Sequence, residues 1–249
     1  MGRISWFYYA APQRFYGLAG RLIPWCAAAA VALAAYGLWI GLAVAPTDFQ
    51  QGESYRIIFV HVPVSWMSMV LYVAMAFWAA MGLIFNARLG AMLAQAIAPT
   101  GALMTFLSLW TGALWGKPTW GTWWVWDARL TSELILLFLY IGYLSLRGAI
   151  EDQRRADRAS ALLAIVGVVN VPIIYFSVKW WNTLHQGASV SVTKGSSMAA
   201  IMLEAMLVMA LAFWAYCFAV VFARVRTIIL ERERGAAWTA AHLPQEQPA

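Results

Sequence analysis

Long apolar segments alternate with short polar ones along almost the whole chain. The apolar segments fall at 25–45, 62–85, 91–115, 130–147, 160–178 and 198–222. Each approaches or exceeds the length of about 17 residues that a helix needs to cross a bilayer. Each segment is predicted to be a helix, because a strand with open edges would leave backbone groups unpaired in lipid. The pattern predicts an all-α integral membrane protein with six transmembrane helices in a single domain over residues 1–234, with a disordered tail at 235–249.

The composition supports this prediction and removes several function classes. Hydrophobic residues make up 63% of the chain and charged residues only 11%, whereas soluble domains carry about 25% charged residues. Neither a Walker A motif nor a CxxC or CxxCH motif is present, so ATP hydrolysis, dithiol chemistry and covalent haem attachment are not expected of this chain. Nothing in the pattern suggests a nucleic-acid partner. The apolar run at 25–45 is too long for a cleaved signal peptide and is expected to remain as the first span.

The distribution of basic residues predicts the orientation. With six spans, 12 of the 17 Lys and Arg residues fall on the side that holds both termini. Because cytoplasmic loops carry the excess of Lys and Arg, both termini are expected to be cytoplasmic. The loops at 46–61, 116–129 and 179–197 then face outward, which in a bacterium means the periplasmic face of the inner membrane.

Two of the three histidines fall on this outer face. His61 lies where the first outer loop enters the second span, and His185 lies in the third outer loop, whereas His242 is in the tail and is assigned no role. Two imidazoles on one face are the minimum set that can hold an iron from both sides. The alternative is that both are ordinary polar residues at the membrane interface.

The second outer loop contains the stretch WGTWWVWDARLTS, with four tryptophans in seven residues. An aromatic belt at headgroup level is the simpler explanation for tryptophan in a membrane protein, but it does not easily explain such a cluster. If the stretch were a short helix, Trp120, Trp123 and Trp124 would share one face, and Trp126 would point elsewhere. With Trp115, these side chains form a candidate platform for a flat apolar ligand.

Cations accompany the aromatic cluster. Arg56 precedes His61 by five residues, and Arg129 follows the tryptophans. An arginine fork matches a carboxylate well, although headgroup contacts or an Arg129–Glu133 ion pair would also explain these residues. Together, two histidines, an aromatic platform and cations fit haem, which has an iron, a flat ring and two propionates.

The sequence KPTWGTWWVWDARLTSELILLFLYIGYLSLR resembles the tryptophan-rich signature of membrane haem-handling proteins, in particular the cytochrome c maturation protein C branch, also called haem exporter protein C. This resemblance, which covers essentially the whole chain, implies that haem b is displayed at the outer leaflet and passed to a periplasmic haem chaperone. It implies as further partners the ATPase and permease subunits of an ABC transporter, with a small single-span membrane subunit. Such a protein is not itself an enzyme.

The resemblance also assigns roles to individual residues. His61 and His185 match the axial histidines. Arg56 and Arg129 stand where propionate partners are expected. The signature itself is matched by Trp120, Trp123, Trp124, Trp126 and Asp127, and the aspartate is expected to shape the turn or orient Arg129 rather than touch iron.

Two other functions remain open at this stage. A haem transporter or exporter subunit would need a polar track through the spans, for which Gln95, Asn170 and Glu204 are the scattered candidates. A cytochrome c haem lyase-type synthase would carry more spans and more histidines than this chain has. Glu204 is expected to face the bundle and pair with Lys179, Lys194 or a polar group such as Gln95, because a carboxylate within a span needs a partner.

Overall fold

The computed structural model describes residues 6–185, 196 and 198–242. The helices are α1 (Pro12–Trp39, continued by a π-helical turn at Ile40–Val44), α2 (Ile58–Phe85, preceded by a 3-10 turn at Glu53–Ile57), α3 (Arg88–Trp120), α4 (Ala128–Ala149), α5 (Gln153–Gly167), α6 (Asn170–Trp180) and α7 (Ala200–Arg232). The described residues contain six helical segments long and apolar enough to cross a membrane, of which α5 and α6 together form one. The predicted six-span all-α fold is confirmed.

The helices extend beyond the apolar segments that predicted them. The first helix begins at Pro12 rather than near residue 25, because proline at the first helical position loses no hydrogen bond. Its first turns pack against the end of α7, where the Arg226 guanidinium lies 4.2 Å from the centroid of the Tyr16 ring. Hydropathy detects only the part of a helix that matches the hydrocarbon, so it missed this polar, packed extension.

The fifth span is interrupted near its middle. Helix α5 ends at Gly167 and α6 begins at Asn170, with a turn at Val168 and Val169. Pro172 explains the break, because its ring clashes with the carbonyl of the residue four positions earlier and its nitrogen donates no hydrogen bond. The Asn170 side chain closes the gap by donating to the Ser132 carbonyl at 2.8 Å.

The core lies where α2, α3 and α4 meet. The rings of Tyr72 and Tyr140 are fully buried and contact each other edge to face at 4.9 Å. Helix α3 approaches α4 closely at Gly101, where a Cβ atom would lie 2.2 Å from Tyr140 Cζ. This packed centre separates two polar regions at opposite ends of the bundle. The end where α2 begins and α3 finishes is called the cleft end, and the opposite one the basic end.

The basic end carries a charged network. The Asp157 carboxylate accepts hydrogen bonds from Arg147 and, at 2.9 and 3.0 Å, from Arg232. Arg232 also donates to the Gln95 amide oxygen at 2.6 Å. These contacts join α3, α4, α5 and α7, so the network fixes the helix ends relative to one another.

The segment after α7 differs from the predicted disordered tail. Residues Ala237–Thr239 form a 3-10 turn, and Thr239 is fully buried. The Trp238 and His242 rings lie 5.7 and 5.1 Å from the ring of Tyr16 on α1. Aromatic packing against the extension of α1 explains the order, and neither feature has a hydropathy signal. Residues 243–249 lie outside the described residues.

Candidate functional site

A narrow cleft opens at the cleft end between α2, α3, α4 and the segment after α6. Six of the predicted site residues line it together, namely His61, Trp120, Trp123, Trp124, Arg129 and His185. They come from three separate parts of the sequence, around His61, in the stretch from Trp120 to Arg129, and at His185. The fold therefore brings together the two histidines that the sequence analysis could place only on the same face.

His61 lies in the first turn of α2 and is held by α3. Its Nδ1 atom is 3.0 Å from the Thr111 hydroxyl, and its ring contacts Trp115 edge to face at 5.6 Å. Gly112 leaves the ring its space, since a Cβ atom there would lie 3.0 Å from His61 Cε1. A polar partner on Nδ1 fixes the orientation of the imidazole and leaves Nε2 for a ligand, as in many metal-bound histidines.

His185 follows α6 and packs against the tryptophan-rich loop. Its ring contacts Trp120 edge to face at 4.8 Å, and its Nδ1 atom lies 3.4 Å from Asp127 Oδ2. Burial and the nearby positive charge of Arg129 lower the pKa of His185 to about 4, although Asp127 opposes the shift. The imidazole is therefore neutral at physiological pH, the form in which histidine binds metals.

The tryptophan-rich stretch is not a short helix, so the condition under which Trp120, Trp123 and Trp124 would share a helical face is not met. Helix α3 ends at Trp120 and is capped by Gly121, which has a φ of 78°, a conformation that glycine adopts without strain. Beyond it, the Thr122 hydroxyl donates to the Trp124 carbonyl at 3.0 Å. Asp127 then caps α4 by accepting from the Leu130 backbone N–H at 2.8 Å. The expectation that Asp127 shapes this turn agrees with its position.

The tryptophans divide into three roles. Trp120, Trp123 and Trp124 line the cleft, so they are grouped as predicted, although by a turn rather than a helix. Trp126 contacts Trp124 at 5.3 Å but is 77% exposed. Trp115 lies on α3 behind His61, and its indole N–H donates to the Gln51 side chain at 2.8 Å, which ties the first outer loop to the site.

The two arginines also differ. Arg129 lines the cleft, and its guanidinium makes no hydrogen bond or ion pair with the residues that the structure describes; the Arg129–Glu133 pair considered from the sequence is not formed. Arg56, by contrast, is bound to the Gly41 carbonyl and to the Glu53 carboxylate. Arg129 is free to meet an anionic group, whereas Arg56 is placed to hold the first outer loop against α1.

The sequence analysis missed a polar cluster on the floor of the cleft. Glu133 is 6% exposed and accepts a hydrogen bond from the Ser68 hydroxyl at 2.7 Å. Beside it, the hydroxyls of Ser65 and Ser108 are 2.6 Å apart. Glu133 lies within a span, and a carboxylate in that position is a candidate functional residue in the same way as Glu204.

Glu204 itself is placed differently from its prediction. It is exposed on α7 and accepts a hydrogen bond from the Tyr36 hydroxyl at 3.1 Å. The predicted partner Gln95 is instead bound by Arg232 at the basic end. Glu204 stands only one turn into α7, and its side chain is exposed and bound by the Tyr36 hydroxyl rather than by a cation. Lys194, another predicted partner, lies outside the described residues.

Comparison with known proteins gives these residues a context. The family profile described as Heme exporter protein C matches residues 5–240. The Heme exporter protein C of Escherichia coli K12 is 53% identical over 180 residues, which cover 72% of this chain and 74% of the relative. That of Haemophilus influenzae is 45% identical over 233 residues, covering 94% and 95%. A putative cytochrome c biosynthesis ccmC-like mitochondrial protein of Marchantia polymorpha is 51% identical over 159 residues, covering 64% and 67%.

The chain belongs to the Heme exporter protein C family. Family membership and the six spanning helices make it a multi-pass membrane protein that handles haem for cytochrome c maturation. The family predicted from the tryptophan-rich motif is thereby confirmed.

The donor set of the cleft suits haem. Three buried side-chain atoms in or beside the cleft have no hydrogen-bond partner among the described residues, namely Trp124 Nε1 and the pair Asp127 Oδ2 and His185 Nδ1, which lie 3.4 Å from each other. An unpaired buried polar atom costs about 1–3 kcal/mol, so their presence indicates a site arranged for a ligand or for a closer approach of its own parts. Two imidazoles, three indole rings and an unpaired guanidinium are the side chains that would hold the iron, the ring and a propionate of haem.

The enclosed volume of the cleft is smaller than a ligand of the size of haem requires. The cavity measures about 40 Å³, whereas pockets for organic ligands measure about 300–1,000 Å³. The enclosed space is therefore too small to hold a whole haem ring. His185 lies on the wall that follows α6 and belongs to no helix.

Proposed function

We propose that this protein binds haem b in the cleft through His61 and His185 and presents it, at the periplasmic face of the inner membrane, to a periplasmic haem chaperone. The observation that supports the proposal most directly is the convergence of both outer-face histidines on one cleft with three tryptophans and Arg129. Each histidine has its Nδ1 atom beside a polar group, and Nε2 is then the nitrogen available to iron.

Each neighbouring group has a distinct part in this proposal. Trp120, Trp123 and Trp124 provide apolar faces for the ring, and Trp120 also supports the His185 imidazole. Arg129 orients a propionate. Arg56 acts indirectly by positioning the first outer loop, because its guanidinium is already bound there. Haem supplies the reactive vinyl groups and the iron, and the protein supplies position and electrostatic environment.

The transfer itself occurs on the chaperone, so the protein is not proposed to be an enzyme. Trp123 lines the cleft and Trp126 contacts Trp124. These two side chains, which are 55% and 77% exposed, would give the chaperone an apolar surface next to the haem edge. The ATPase and permease subunits of an ABC transporter and a small single-span subunit complete the proposed assembly.

The test is covalent transfer of haem in a reconstituted system. Full-length protein, haem and the chaperone are combined, and the haem–chaperone adduct is followed by haem-stained gel electrophoresis and mass spectrometry. The wild-type protein is expected to yield adduct, and Trp120→Ala and His185→Ala to yield little. Equal adduct formation without this protein would contradict a presenting role.

Conduction of haem through the bundle is the second candidate, and the geometry disfavours it. The three residues that suggested a polar track are far from forming one. Gln95 is held by Arg232, Asn170 by the Ser132 carbonyl, and Glu204 by Tyr36 on the outer surface of α7. The packed centre around Tyr72 and Tyr140 separates the two ends. Haem flux into vesicles that contain this protein alone would restore the transport candidate.

The synthase candidate is weaker for a similar reason. A cytochrome c haem lyase-type synthase is expected to hold haem within the membrane as well as at the outer face. His242, the remaining histidine, packs against Tyr16 and Trp238 at the other end of the bundle. Attachment of haem to an apocytochrome by this protein alone, without a chaperone, would support the synthase instead.

A further inference from the structure

A second cavity lies at the basic end, far from the haem cleft. It measures about 460 Å³, more than ten times the volume of the cleft. Its walls are the end of α2, the start of α3 and the start of α5. The cavity does not belong to the haem site, since it lies on the far side of the packed centre of the bundle.

The cavity has an apolar floor and a cationic rim. The floor is lined by Leu83 and by four alanines, whose short side chains leave the space open, namely Ala79, Ala91, Ala94 and Ala161. The rim carries Arg88, Arg154 and Arg158. The cavity is apolar within the helices and basic where the helices end. A phospholipid has the same arrangement in one leaflet of a bilayer, with the acyl chain inside and the headgroup at the surface.

Two of the three arginines on the rim have no acidic partner in the described parts of the chain. Arg154 and Arg158 are exposed, and their guanidinium groups make no ion pair or hydrogen bond within the described parts of the chain. Asp157 also lines the cavity, but Arg147 and Arg232 already bind its carboxylate. Arg88 contacts Glu233 at 2.8 Å while 72% of its side chain stays exposed. The rim therefore has a net positive charge.

We propose that this cavity is a binding site for one anionic phospholipid. The phosphate and the charged headgroup contact Arg154 and Arg158, and an acyl chain covers the alanine-lined floor. Water is a poor occupant of that floor because the alanine side chains offer it no hydrogen bonds. Basic pockets between helix ends are recurrent sites for anionic lipid headgroups. The proposal is independent of haem binding.

The site also has a consequence for the bundle. The cavity touches Tyr143 and Asp157, and Asp157 joins α5 to α4 and α7 through its arginine partners. A lipid bound there fills the space between α5 and the α2–α3 hairpin. Occupancy is therefore expected to stabilise the basic end.

The experiment measures lipid binding to the full-length protein purified in detergent. Native mass spectrometry is recorded with phosphatidylglycerol or phosphatidylcholine added at equal concentration. The wild-type protein is expected to retain one phosphatidylglycerol molecule. At the same concentration, it is expected to bind little phosphatidylcholine. The double variant Arg154→Ala with Arg158→Ala is expected to lower phosphatidylglycerol affinity about tenfold or more, since each basic residue contributes to attraction of an anionic lipid.

Arg155→Ala is the matched control. Arg155 lies between the two rim residues in the sequence and is exposed, but it does not line the cavity. It is expected to bind phosphatidylglycerol like the wild type, and an equal loss in this variant would reduce the effect to general surface charge and overturn the proposal. Full competition by millimolar inorganic phosphate would also overturn it, because the ligand would then be a free anion. The proposal would also be overturned if the double variant bound phosphatidylglycerol with wild-type affinity.

Discussion

The two ends of the bundle each depend on an aspartate, and the two aspartates have opposite surroundings. At the basic end, both oxygens of Asp157 accept hydrogen bonds from arginine. At the cleft end, one oxygen of Asp127 caps α4, and the other lies 3.4 Å from His185 without a hydrogen bond among the described residues. At the basic end, the hydrogen-bonded carboxylate of Asp157 stabilises the helix ends. At the cleft end, polar atoms without a hydrogen bond are available to a ligand.

The comparison teaches how stability and function are separated in a small membrane bundle. The basic end joins four helices through Asp157, Arg147, Arg232 and Gln95. The cleft end places its unpaired atoms outside the helices, on the turn before α4 and on the segment after α6. Variants at the two ends should therefore change different measurements.

The largest effect on stability is expected for Asp157→Ala. The variant leaves Arg147 and Arg232 without their common partner, and breaking a charge pair that is mostly buried should cost about 2–3 kcal/mol. Thermal unfolding in detergent is expected to show a clearly lower midpoint. Haem bound per folded protein should be unchanged, and a loss of haem binding in the folded fraction would contradict the separation of the two ends.

The next effect is on haem affinity, for Thr111→Val. The substitution keeps the shape of the side chain but removes the hydroxyl beside His61 Nδ1. Loss of such a supporting partner typically weakens metal binding about 10- to 100-fold. Haem titration followed by absorbance measures the affinity. The control is Thr105→Val, because the Thr105 hydroxyl bonds only the Gly101 carbonyl of its own helix; equal losses in both variants would count against a role for Thr111 in holding His61.

A smaller and mixed effect is expected for Asp127→Ala. The variant removes the cap of α4, which should cost about 1 kcal/mol. It also removes the group nearest to His185 Nδ1, so haem affinity should fall together with stability. Asp152→Ala is the control, since Asp152 caps α5 in the same way at 2.7 Å but lies far from the cleft. Equal haem affinities in the two variants would limit Asp127 to capping.

The smallest effect on the free energy of unfolding is expected for Trp124→Phe, and it is the one substitution of the four that can increase stability. The Trp124 indole N–H is buried and has no hydrogen-bond partner in the described chain. Trp124→Phe removes that donor, so the haem-free protein is expected to lose little stability or to gain up to about 1 kcal/mol, despite the smaller ring. Chemical unfolding of the haem-free protein measures this difference. A loss above about 2 kcal/mol would show that packing of the indole outweighs its unpaired N–H.

Hydrophobic patterning predicted the six spans because the bilayer requires long apolar helices. It could not predict the packed extension from Pro12 to Pro24 or the turn at Trp238, since both depend on aromatic contacts between distant parts of the chain. The break between α5 and α6 follows from Pro172, but its position within a span has no hydropathy signal.

Residue type and the predicted membrane side were enough to select six of the residues that the fold brings to the cleft. Six predicted residues line the cleft, whereas Trp115, Trp126, Asp127 and Arg56 surround or support it. Arg56 is bound to the Gly41 carbonyl and to Glu53, and the contact with Gly41, fifteen residues away, depends on the fold. Glu133 has no sequence pattern that separates a buried carboxylate from one paired with Arg129, and only the fold places it beside Ser68.

The central claim is that His61 and His185 hold the haem iron from its two sides. The most direct measurement is the absorption and electron paramagnetic resonance spectrum of haem bound to purified full-length protein. The wild type and His242→Ala, which changes the histidine packed against Tyr16, are expected to give the same six-coordinate low-spin spectrum. His61→Ala and His185→Ala should each lose it, with partial recovery on addition of imidazole. Wild-type haem content and an unchanged low-spin spectrum in either cleft variant would contradict the claim.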